Sequence, residues 1–180
     1  MPLRELTDIE LHADLARVIE HWRALYATKG QAPLIRDIDL MDFYDIAGRM
    51  IIADRVGEPP KEKYYWRFAG ATFREIWGME LTGKFLHETH DAETTRAATE
   101  VYRTMAANSL PHYWVRPAGV IHEDRSHIHY ERVVLPLANA TGDLSHFLGV
   151  YVFFRRPDDR ADYDATEYVV RIKLPEKSEE

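Results

Sequence analysis

The sequence predicts an α+β fold, an antiparallel sheet with short helices on one face, preceded by an amphipathic helix. Three observations lead there. Strand-like segments fall into two blocks, 50–69 and 112–156, separated by a helical stretch, and such separated blocks favour an antiparallel sheet over alternating βαβ units. Apolar residues recur at three- and four-residue steps in 9–29 and 91–108. Gly, Pro and Asp punctuate the boundaries between these segments.

The elements follow in order. In 9–29, Leu11, Leu15, Val18, Trp22, Leu25 and Tyr26 share one helix face, Asp8 is placed to cap the start, and Gly30 to stop the end. A stripe of Leu11, Leu15, Val18, Trp22 and Leu25 is too apolar to face water. It is expected to form the interface of a homodimer, which uses one patch twice, or to cover the free face of its own sheet. After Pro33, residues 39–46 read as a short capped helix closed by Gly48. MIIADRV (50–56) and YYWRFA (64–69) are β-rich runs around the turn residues of VGEPPKE, hence a hairpin. ATFREIW between Gly70 and Gly78 supplies one or two helical turns, LTGKFLHETH a short helix or turn, and 91–108 a longer helix capped near Asp91. Its apolar face is Ala97, Ala98, Val101, Tyr102 and Met105. Past Pro111 come three long β segments, 112–121, 127–137 and 146–156. Residues 168–174 can add an edge strand before a charged end, PEKSEE, expected to fray.

The 180 residues suit one domain, organised as an N-terminal helical extension (1–47), a sheet domain (48–156) and a charged tail (157–180). With no cysteine, disulfides, thiolate metal sites and thioether-linked cofactors are excluded, and a reducing cytoplasm is the expected compartment. A net charge of −7 without a basic stripe argues against nucleic acid as a partner. The longest uncharged apolar run, 144–154, is well short of the roughly 18 residues of a membrane span. The first residues, MPLRELTDIELHADL, carry acids where a secretory signal needs a basic start.

Three ordered strings carry a family resemblance: Trp22-Arg23 followed by PLIRDID (33–39), YWRFAGATFREIWGMELTGK (65–84), and YERVVLPLANATGD (130–143). Together they resemble a family of short bacterial PAS-like domains, over roughly residues 18–155. The resemblance implies a five-stranded antiparallel sheet in the PAS order, with short helices on one face enclosing a pocket or a core. It implies a sensory or regulatory role through a small molecule or a protein partner rather than chemistry, and brings no catalytic residues. It also implies that Glu131 and Arg132 form a recurring structural pair. Nothing in the chain has the length of an output domain, so a signal is expected to leave through a partner or a dimer rearrangement.

The aromatic residues Trp66, Phe68, Phe73, Trp77, Tyr102, Trp114, Tyr130 and Tyr151 are the candidates for lining a ligand pocket, with a filled aromatic core as the competing reading. Strand alternation puts Trp66 and Phe68 on one face and Arg67 on the other, where an ion pair is its expected role. His127, His129 and Glu131 share a strand face, and with His122 are the weakly favoured metal ligands. The same group, with Tyr130, supports the alternative of a small cone-shaped α+β enzyme using acid–base side chains. Strand order separates the two readings, because the cone fold places its helices before all its long strands. His87 and His90 are the only histidines placed for a haem axial ligand beside the sheet, and a polar capping turn explains them more simply. Flavin photoadducts need a cysteine. No stoichiometric cofactor is expected.

Overall fold

The computed structural model describes residues 3–5, 10–117, 128–155 and 167–171. Its strands are β1 (Leu3–Glu5), β2 (Met50–Val56), β3 (Lys63–Ala69), β4 (His112–Pro117), β5 (Ile128–Ala138), β6 (Leu144–Arg155) and β7 (Glu167–Arg171). The helices are α1 (Ala13–Lys29), α2 (Ala71–Trp77), α3 (Leu86–Thr89) and α4 (Ala92–Asn108). All strands belong to one sheet in the order β1-β7-β4-β5-β6-β2-β3. The five strands from β3 to β4 are antiparallel neighbours, as expected, with two preceding the helices and three following them. That order excludes the cone fold. β7 extends the β4 edge, and β1 pairs with β7 in parallel. The three-residue β1 is too short to leave a pattern in the sequence.

Several boundaries differ from expectation. Helix α1 begins at Ala13 rather than residue 9, with the His12 ring accepting from the Asp14 amide as its cap. The cause is tertiary: the His12 amide donates to Glu131 on β5, and His12 itself is extended. Asp8, the expected cap, lies outside the described residues. Instead of a helix over 39–46, the chain makes separate 3-10 turns, Leu40–Phe43 and Ala47–Arg49. Gly70 lets α2 start against the second of them, since a Cβ there would lie 2.3 Å from the carbonyl oxygens of Ala47 and Gly48. Only glycine fits.

The sheet is covered on both faces. On the outer face, α1 buries Leu15, Val18, Ile19 and Trp22 against Met50, Ile52, Val133, Leu135, Leu137 and Val150. Trp22 Nε1 donates to the Pro136 carbonyl at 2.9 Å. The stripe assigned to a dimer interface is therefore used within the chain: Leu15, Val18 and Trp22 are at most 1% exposed. Leu11 and Leu25 are half-buried, Leu11 against this same layer. The reason is that β5 and β6 present an apolar row outward as well as inward, and α1 covers the outer row while α4, of equal length, packs on the inner one.

The inner face carries α2, α3 and α4, packed over Ile51, Tyr64, Trp66, Trp114, Tyr130, Val134, Phe147 and Tyr151. A bulge in β3 divides its aromatics between the two layers. Ile52 pairs with Phe68 but Ala53 with Trp66, leaving Arg67 as the extra residue. Trp66 joins the inner layer and Phe68 packs with the outer one, so the expected shared face is corrected.

Candidate ligand cavity

Between the inner face of the sheet and the helices lies a cavity of about 410 Å³. Its floor is a set of cross-strand neighbours. Trp114 on β4 pairs with Arg132 on β5, which pairs with Tyr151 on β6, and one step along Arg116 pairs with Tyr130. Ile51 and Trp66 extend the floor, while Trp77, Leu86 and Tyr102 enclose it from the helices. The remaining wall is the entry to α4, where Asp91, Glu93 and Ala97 are exposed and mark the side facing solvent.

The structure brings together Trp66, Trp77, Tyr102, Trp114, Tyr130 and Tyr151 from the sequence-predicted set around this space. Phe68 is not among them, because of the bulge. Phe73 stands behind the wall, packed edge-on to Tyr151 with ring centres 4.9 Å apart. Sequence reasoning missed Arg132, Arg116 and His90 as lining residues. For the arginines the signal was present: Arg132 alternates with Tyr130, and Arg116 with Trp114, so each shares a face with an aromatic already nominated.

Arg132 is 5% exposed. Its guanidinium carbon lies 3.4 Å from the centre of the Trp114 ring, and Nη1 donates to the Tyr151 hydroxyl at 3.0 Å. Its Nε has no hydrogen-bond partner among the described residues. No carboxylate among the described residues pairs with it. Burial works against its charge, but the hydroxyls of Tyr151, Tyr130 and Tyr102 offset this and leave its pKa raised. Arg116 also sits over Trp114, 4.8 Å from the ring centre. Burial pushes the Tyr130 hydroxyl up to about 12, so it stays protonated as a donor at neutral pH.

His90 precedes the α4 cap formed by Asp91, whose carboxylate accepts from the Thr94 amide at 2.7 Å. The Thr89 hydroxyl donates to the Leu86 carbonyl and accepts from Trp66 Nε1. His90 Nδ1 is hydrogen-bonded to the same oxygen at 2.8 Å, which holds the ring in the cavity wall. Burial lowers the His90 pKa, and the positive charges of Arg132 and Arg116 add to this against Asp91. The simple turn expected at His90 is thus a cavity wall. His87 is exposed beside Phe85 and does not line the cavity.

The remaining candidates face the other way. Glu131 points to the α1 layer, where its carboxylate accepts from the Tyr113 hydroxyl at 3.2 Å and the His12 amide at 3.3 Å. It does not pair with Arg132, because neighbours on a strand face opposite sides. His129 stacks on Phe154 with ring centres 5.9 Å apart. His122 and His127 lie outside the described residues. Among the described residues no three His, Asp or Glu cluster closely enough to hold a metal ion. Arg67 makes the expected ion pair, with Asp54 at 2.8 Å, and Asp54 is shared with His146.

An antiparallel five-stranded sheet, two strands before the helices and three after, and a cavity under those helices invite comparison with known families. The profile of the PAS domain matches residues 11–152. The chain belongs to the PAS domain family. Solved structures similar to this PAS domain include a light-oxygen-voltage domain studied with a flavin analogue, at 19% identity and a TM-score of 0.45, covering 70% of this chain and 90% of that one. The dark structure of the blue-light photoreceptor Aureochrome1 LOV follows at 16% identity and 0.43, covering 70% and 88%. A PAS domain of a protein from Colwellia psychrerythraea stands at 13% and 0.42, covering 66% of this chain and 100% of that one. No curated protein matches. No described helix of this PAS domain is long and apolar enough to cross a membrane.

Proposed function

We propose that this PAS domain is a sensory or regulatory module that binds a small molecule between its sheet and α2–α4, with no chemistry of its own. One observation carries the reading: the aromatic-walled cavity of about 410 Å³ falls within the size of small-molecule sites and has polar groups of Arg132, Arg116, Tyr130 and His90 in its lining. The enzyme alternative gains no support, because Glu131 and His129 are engaged on the opposite face from the cavity. The signal leaves through a partner protein in the cytoplasm. A homodimer stands as a proposal without its first motive, since the α1 stripe is used on the sheet; sedimentation that returns a monomer at high concentration ends it.

The test is native mass spectrometry of freshly purified protein beside the variant Ala98→Phe, which fills the cavity from α4. Wild type is expected to carry a small-molecule adduct, or to gain one from a cell extract, while the folded variant does not. Wild type that takes up nothing, or a variant that takes up the same adduct, refutes the reading.

A further inference from the structure

From the cavity's charge we infer that the ligand is a small organic carboxylate on a planar, aromatic body, with its carboxylate held by Arg132. This rests on the proposed ligand-binding reading and names the class of molecule bound. Removing a cation from water costs several kcal/mol unless an anion and full hydrogen bonding compensate it. Arg132 is buried with a hydrogen bond to Tyr151 and contacts to the Trp114 and Tyr151 rings, and among the described residues its Nε has no hydrogen-bond partner and no carboxylate offsets its charge. An aliphatic side chain would fill the same strand position at less cost. Arg116, on the same face and one cross-strand step away, also has no carboxylate partner among the described residues. The cavity therefore holds two positive charges, neither paired with a carboxylate among the described residues, and a guanidinium presents two parallel donors that match a carboxylate.

The rest of the wall selects the body of the ligand. Trp66, Trp77, Tyr102 and Tyr130 offer flat faces and edges suited to an aromatic ring. The acids at the wall do not oppose the inner charge: Asp91 and Glu93 are exposed, and Asp91 is occupied in capping α4. That capping also argues against a phosphate. At the α4 start the Asp91 carboxylate already takes the Thr94 amide, and no glycine-rich loop lines the cavity.

The experiment is isothermal titration of the purified protein with matched pairs, benzoate against benzamide and indole-3-acetate against indole-3-acetamide, each repeated on Arg132→Met and Arg132→Gln. The carboxylates are expected to bind more tightly than their amides by about 10- to 100-fold, the range of charge-assisted hydrogen bonds, with the difference lost in both variants. Thermal melting gives an independent readout. Replacing an uncompensated buried charge by a similar apolar volume is expected to leave Arg132→Met melting at or above ligand-free wild type. Amides that bind as well as carboxylates refute the charge inference while the ligand cavity stands. No binding of either pair overturns the carboxylate inference, while adduct uptake in native mass spectrometry decides the ligand reading separately. A large drop in melting temperature of ligand-free Arg132→Met makes Arg132 a structural group and overturns the inference.

Discussion

Gly149 sits at the centre of the inner face, directly opposite Ile51 on β2. A Cβ added there would lie 2.6 Å from Ile51 Cγ2 and 3.1 Å from Tyr151 Cε2. Carbon atoms in packed interiors prefer about 3.5–4.0 Å, so Ile51 would have to retreat by about 1 Å. It has little freedom to do so: it is 2% exposed, and a β-branched side chain has one favoured χ1. Gly149→Ala is therefore expected to cost about 1–3 kcal/mol from overpacking, reduced by up to about 1 kcal/mol from the lower chain entropy of alanine. Ile51→Ala alone opens a hole and is expected to cost about 2–5 kcal/mol. In the double variant the new methyl occupies space that Ile51 vacated, so the loss should fall short of the sum by about 0.5–3 kcal/mol. Urea unfolding followed by tryptophan fluorescence measures all four corners, with unchanged m-values as the condition for comparing them. A Gly149→Ala protein as stable as wild type, or a double variant whose loss equals the sum, would show that the two sites are not in contact and that the packing of the cavity floor is wrong.

Trp22→Phe is expected to lower stability by about 1–3 kcal/mol, because the Pro136 carbonyl loses its donor and the α1 layer loses volume, while the sedimentation coefficient stays that of wild type. A change of oligomeric state in that variant would return Trp22 to an interface. The His90 pKa is lowered in the fold by burial, so the unfolded state takes up its proton first as pH falls. Stability should then decline as pH drops through about 6.5, and His90→Gln should flatten the pH 5–7 limb in urea titrations; an unchanged slope sinks the argument. For Asp54, burial opposes the carboxylate, but hydrogen bonds from His146 and Arg67 more than offset it and hold its pKa below the usual range. Its contribution is present above about pH 3.9 and lost as pH falls further, so Asp54→Asn should be less stable than wild type at pH 7 and approach it in acid. A gap that persists at low pH points to lost packing instead.

Much of this fold was legible because local signals agreed with one another. The hairpin 50–69, the α4 cap at Asp91 and the three late strands each rest on periodicity and turn residues that need no distant partner. Trp114, Tyr130 and Tyr151 were nominated from the sequence, and the cross-strand register of β4, β5 and β6 puts them on one face. Strand alternation, two residues further along β4 and β5, identifies Arg116 and Arg132 as companions of Trp114 and Tyr130.

What tertiary structure alone decided is where competing surfaces meet. The α1 stripe was written plainly in Leu15, Val18 and Trp22, yet an apolar helix face has the same pattern whether it covers a sheet or a second chain. The choice depends on whether the outer row of β5 and β6 is left uncovered by the other helices. The start of α1 is set by Glu131, a residue far along the chain that takes the His12 amide out of the helix. One extra residue in β3, Arg67, sends Phe68 away from Trp66, because a bulge reverses the side-chain alternation beyond it and depends on how β2 pairs. The charge of the cavity is of the same kind. Composition counts an arginine at 132, but only the assembled sheet and helices remove it from water and leave it without an acid among the described residues. Periodicity reports which residues share a face, whereas burial and pairing are properties of two faces brought together.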